Sequence, residues 1–170
     1  MRSIRCSSKR KVGAVIAALA LAVVGAACGP SAQSAAPSCA APAGPPDAVT
    51  SAVFNGTNGT RAFFGQHPLA WNGQLYCLAL DWSTQRGQSG SFHHRSLTPV
   101  INSPEYANWR TLGENILRGP ASMSGDDMVN GWMASQSHAN NILSGSYSSI
   151  GIGIFYTANG MVYATQNFGG

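Results

Sequence analysis

Lysine is absent beyond position 11, and titratable groups are scarce throughout: six acids and four histidines in 170 residues. Each shortage excludes something. The net charge of +4 belongs to the first residues, because Arg2, Arg5, Lys9, Arg10 and Lys11 supply five of the ten basic groups. The rest of the chain has five arginines against six acids. A nucleic-acid partner needs a basic face on the folded domain, so none is expected. The uncharged apolar run from Val12 to Val24 is short for a membrane span. Residues 29–46 carry no charge and consist almost wholly of Ala, Pro, Ser and Gly. Such a segment cannot bury a core and reads as an extended spacer. The only repeat is the short doublet Asn55-Gly56-Thr57, Asn58-Gly59-Thr60.

What is there begins with a leader. A basic stretch, the apolar run and the small residues Gly25-Ala26-Ala27 read as a secretory signal over residues 1–27. Cys28 follows at once, and small residues directly before a cysteine resemble a bacterial lipobox. That resemblance implies lipidation of Cys28 and attachment to a membrane. An ordinary signal peptide and an uncleaved signal anchor are the other readings. Cys6 leaves with the leader, so Cys39 and Cys77 remain in an oxidising compartment. A Cys39–Cys77 disulfide is expected, with two buried free thiols as the alternative. The organisation is then a leader to 27, a spacer over 28–46 and one domain over 47–170.

A helix starts near Asp47, with Val49, Ala52 and Val53 on one face. The next helix is the clearest. Leu75, Leu78, Ala79 and Trp82 follow i, i+3, i+4, i+7 spacing. Asn72 caps its start and Gly87 is expected to stop it. Cys77 lies about 200° around this helix from Leu75, away from the apolar stripe. A loop from Gly87 to Gly90 delivers His93 and His94. A short helix is expected over 104–109. Another starts at Ser124, with Asp126 and Asp127 at its positive end. Ser135 and His138 are expected on that same helix, following Trp132 at steps of three. Alternating Ile150, Ile152 and Ile154, then Asn159-Gly160, then Met161 to Phe168, spell a β-hairpin. Helices and an antiparallel pair give an α+β class.

Several fragments carry the chemistry: His93-His94, Gly113-Glu114-Asn115-Ile116, and Trp132-x-x-Ser135-x-x-His138-x-Asn140-Asn141. With Asn58-Gly59-Thr60-Arg61, Pro68-Leu69-Ala70-Trp71, Ile150-Gly151-Ile152-Gly153 and Tyr163 to Phe168, their order resembles the bacterial branch of the CAP superfamily. That superfamily, also called SCP, includes cysteine-rich secretory proteins, antigen 5 and pathogenesis-related proteins. The resemblance covers residues 47–170. It implies a three-layer α-β-α sandwich with a central, mainly antiparallel sheet and a groove lined by histidines and acids. Carried over residue by residue, the groove set is His94, Glu114 and His138, with His93 as the fallback for His94. Where many eukaryotic members have Trp-x-x-Glu, this chain has Ser135, so the second carboxylate is missing.

The set permits several uses. His94 and His138 can hold a divalent metal such as zinc, with Glu114 as a ligand or acting on bound water. Two imidazoles alone make a weak, open site. Ser135, His138 and Glu114 form a nucleophile–base–orienter reading, which lacks an evident oxyanion hole. A structural role for Glu114 as an acceptor for backbone groups has equal standing. Trp132 reads as core, and Tyr163 and Gln166 as sheet neighbours. Two functions follow. One is a non-enzymatic, envelope-associated module binding a small apolar molecule, an envelope component or a protein. The other is a metal-dependent hydrolase or peptidase outside the cytoplasm, with Glu114 as the catalytic candidate.

Overall fold

A computed structural model describes residues 39–170. The leader, the lipidation candidate Cys28 and the spacer up to residue 38 lie outside the described residues. Asp47 caps the first helix, α1 (Ala48–Phe63), by accepting the Thr50 N–H at 2.8 Å. Helix α2 (Gly73–Ser89) starts as expected, with the Asn72 side chain accepting from Leu75 N–H. It does not stop at Gly87. The helix runs two residues further and ends at Gly90, whose φ of 71° is left-handed. Gly87 instead serves packing, since a Cβ there would overlap the Phe155 ring. A short helix α3 (Thr98–Ile101) and a 3-10 turn at Pro104–Tyr106 follow, where one short helix to residue 109 was expected.

Among the described residues, four strands form one sheet: β1 (Ala70–Trp71), β2 (Leu112–Pro120), β3 (Ser149–Tyr156) and β4 (Met161–Gly169). Their spatial order is β1-β3-β4-β2. The β3–β4 hairpin and the β2–β4 pair are antiparallel, and only the short β1 runs parallel to β3. Helix α2 packs on one face. On the other lie α1, α4 (Gly125–Met133) and α5 (Gln136–Leu143). The domain is the α-β-α sandwich.

The pleat divides the sheet into two unlike faces. Ile150, Ile152, Val162, Ala164 and Phe168 point toward α1, α4 and α5, where Val53, Met128, Val129, Trp132 and Ile142 complete the main core. Gly151 and Gly153 point the other way. A Cβ at either would overlap the α2 backbone, at Leu75 and Tyr76 or at Ala79 and Leu80. The Ile-Gly-Ile-Gly fragment is therefore one strand with a packing face and a face worn flat for a helix. On that same side β4 presents Thr165, whose hydroxyl meets Ser83 Oγ at 2.7 Å and accepts from Arg86.

The Asn-Gly-Thr-Arg fragment is also structural. The Asn58 amide pairs with both the N–H and the C=O of Leu69. Buried Arg61 donates to the carbonyls of His67, Ile142 and Ser144, tying α1 to the end of α5. The expected Cys39–Cys77 disulfide is present, with Cα atoms 5.6 Å apart. Beside it the Trp71 indole N–H donates to the Pro42 carbonyl, so residues near Cys39 lie against the domain. Among the described residues, no helix is long and apolar enough to cross a membrane.

Candidate functional site

Glu114 sits on β2, an edge strand, and pairs in register with Asn167. Its side chain is on the α2 face of the sheet, with only 2% exposed. One carboxylate oxygen, Oε1, receives both the His94 Nδ1 and the Arg95 backbone N–H, each at 2.9 Å. Loop 90–97 is thereby hung on β2 by one buried oxygen. The bond fixes His94: with Nδ1–H donating to the carboxylate, Nε2 is left for the solvent side. The His94 side chain is 53% exposed.

His138 arrives from the opposite layer. It lies in the first turn of α5, and its backbone is tied to β2 by Asn115, whose Nδ2 donates to the His138 carbonyl at 3.0 Å. Asn141 donates to the Glu114 carbonyl and to Asn115 Oδ1. The two imidazoles thus meet across the sheet edge, ring centroids 6.0 Å apart and tilted by 56°. Burial, and then the neighbouring His94, lower the His138 pKa below its ordinary value.

Beneath Glu114 lies Arg86, fully buried on α2. It donates to the Ala164 carbonyl and the Thr165 hydroxyl, and its guanidinium lies over the rings of Phe92 and Tyr163. Burial pulls its pKa down to about 10, opposed by the negative charge of Glu114. This cation was not singled out in the sequence. Its signal is the position itself: a lone arginine three residues beyond Ser83 on the α2 face that meets the sheet.

The structure brings together His94, Glu114 and His138. His93 turns elsewhere, packing edge-on against Trp82 with centroids 5.1 Å apart. Ser135 requires a correction. It is not on a helix shared with Trp132, because α4 ends at Met133 and Ser135 is the extended residue before α5. The i, i+3 argument linking it to His138 therefore does not hold, and its hydroxyl pairs with Ser137 Oγ at 3.2 Å. Tyr163 and Gln166 are buried in the fold, Gln166 between Asn115 and Thr57.

The donor set fits a metal only in a limited way. Zinc ligands are usually three or four, and among the described residues no group of three or more His, Cys, Asp or Glu side chains converges to hold an ion. Glu114 Oε1 is already committed to two donors. What remains is a pair of imidazoles, an open and weak donor set.

Comparison with known proteins gives a consistent result. The model of the cysteine-rich secretory protein family, CAP, matches residues 54–168. The uncharacterized protein YkwD of Bacillus subtilis (strain 168) is 30% identical over 119 residues, 66% of this chain and 44% of that protein. The chain therefore spans less than half the length of this curated relative. An extracellular SCP-domain protein from Bacillus anthracis superposes with a TM-score of 0.53 at 25% identity, over 68% of this chain and 38% of its own. An outer surface protein from Borrelia burgdorferi shares the fold, with a TM-score of 0.59 at 17% identity over 69% and 88% of the two chains.

Proposed function

The chain belongs to the cysteine-rich secretory protein family, and from that premise we propose that it is an exported, non-enzymatic binding module held at the cell envelope. Its contact surface in this reading is the groove at the β2 edge, where His94 and His138 are presented. The observation that carries the proposal is the commitment of Glu114. A general base must have an oxygen free to take a proton from water or substrate. Here Oε1 accepts two hydrogen bonds, and Oε2, which has no partner, is buried away from solvent and so out of reach of a substrate in the groove. Glu114 acts through His94, as an orienter. Ser135 offers no paired nucleophile, and the second family carboxylate is replaced by it. The extracellular and outer-surface relatives favour the exported setting. Attachment through Cys28 completes the proposal; a Cys28→Ser variant then leaves the membrane fraction.

The second reading is a divalent-metal hydrolase, and the approach of His94 to His138 favours it. These two imidazoles would hold the ion, which would supply a Lewis acid. Both readings are tested together. The protein is incubated with peptide and envelope substrates, with zinc and with chelator, beside a Glu114→Ala variant whose fold is checked by circular dichroism. The expected outcome is no turnover under any condition. Reproducible, chelator-sensitive turnover that disappears in a folded Glu114→Ala protein overturns the binding-module reading.

A further inference from the structure

We propose that a second site, beside the imidazole pair, binds a neutral oligosaccharide. A cavity of about 580 Å³ opens on the C-terminal half of α2 and the loop beyond it, lined by Trp82, Gln85, Gln88, Ser89, Ser91 and His93. Trp82, Gln85 and Ser89 recur at steps of three and four, so one helix face supplies half of the lining. The two adjacent histidines divide the work. His94 turns to Glu114 and His138, while His93 faces this cavity.

The lining selects a ligand class. No Asp, Glu, Lys or Arg lines the cavity. The nearby Arg95 and Asp81 side chains neutralise each other in an ion pair. An anionic or cationic ligand therefore finds no unpaired countercharge. Gln85 already donates to Asp81, and the Ser89 hydroxyl meets the Gln85 carbonyl and Ser91 Oγ. A wholly apolar ligand would still cover the Gln88 amide and the remaining capacity of these groups without returning hydrogen bonds. A sugar chain meets both needs. Its C–H face suits an aromatic ring, and its hydroxyls donate and accept, as do glutamine amides and serine hydroxyls. Trp82 is already held in place. Its indole N–H donates to the His93 carbonyl at 3.2 Å, and the Arg95 guanidinium lies 4.9 Å from its ring centroid. A preset aromatic surface loses little freedom when a ligand arrives. The site uses neither Glu114 nor His138, so it goes beyond the groove function and does not depend on it.

The test is a titration of the isotope-labelled protein with the N-acetylglucosamine tetramer and with cellotetraose, followed by NMR. The Trp82 indole N–H signal, assigned with Trp82→Phe, should move saturably with at least one of them. The indole signals of Trp71, Trp109 and Trp132 should stay. Gln85 and Gln88 are exposed side chains outside both hydrophobic clusters. Their double alanine variant should keep its unfolding midpoint and bind about tenfold more weakly. His138→Ala should bind as the parent does. The proposal fails if neither oligosaccharide moves the Trp82 signal, or if the double variant binds equally well. It also fails if an uncharged Gly/Ser peptide moves that signal and the sugars do not.

Discussion

His138 and Glu114 are two titratable residues governed by different neighbours. For His138, burial first and the charge of His94 second favour the neutral ring. The folded protein binds this proton less readily than the unfolded chain does. The associated stability is therefore complete above the ordinary value of 6.5 and is lost as pH falls through the lower folded value. The His138 midpoint read by NMR should lie below 6.5. His94→Gln should raise it only in part, because burial is the larger cause. Full recovery of the ordinary value in that variant would assign the shift to His94 alone. The Glu114 carboxylate holds His94 Nδ1 and the Arg95 backbone N–H, and its charge also favours the protonated Arg86. Removing it leaves the Arg95 N–H and His94 without their acceptor. Glu114→Ala should accordingly destabilise the fold by about 1–3 kcal/mol in urea unfolding. Glu114→Gln, which can still accept from the Arg95 N–H, should cost less.

Helix α2 rests on β3 at backbone distance because two side chains are missing from that strand. Gly151→Ala and Gly153→Ala each push a methyl group into helical backbone, which cannot rotate away as a flexible side chain can. Each should cost about 3 kcal/mol or more, the upper end of the usual range for an overfilled core, read as a lowered urea midpoint. A cost under about 1 kcal/mol would mean that α2 shifts freely on the sheet. The break between α4 and α5 matters on the same scale. A continuous helix would carry Ser135 and His138 along one face. The extended residue at Ser135 restarts the helix in a new direction, and the new start sets His138 against His94.

Across the whole molecule, one covalent bond ties the beginning of the described chain to α2. The Cys39–Cys77 bridge closes a loop with a sequence separation of 38. By chain entropy, its loss should cost about 3–4 kcal/mol. Cys77→Ser should show this in urea unfolding, and reductant should lower the parent's stability toward that of the variant. If the midpoint does not move, the bridge constrains only the exposed segment before α1. Intact mass with and without reductant checks that the bond is formed.

How much of this was legible in the sequence depends on how local each cause is. The helix start near Asp47, the Asn72 cap, the Ser124 start, the β-hairpin and the outward position of Cys77 follow from neighbours in the chain, and all stand in the structure. The joint order of the fragments from Asn58-Gly59-Thr60-Arg61 to Tyr163–Phe168, Gly-Glu-Asn and Ser-x-x-His among them, pointed to the family and the sandwich. Tertiary structure decided the rest. Gly87 reads as a helix stop by propensity, but the Phe155 ring needs its bare Cα and the helix continues to Gly90. Strand β2 carries polar residues on both of its buried faces, a pattern that no apolar alternation announces. Their hydrogen bonds come from loop 90–97, α5 and β4, all distant in sequence. Arg86 beneath Glu114, and the choice of His94 over His93 for the edge of β2, are likewise outcomes of packing. Local spacing fixes what a residue can do; which partner it meets is set by how the three layers close on the sheet.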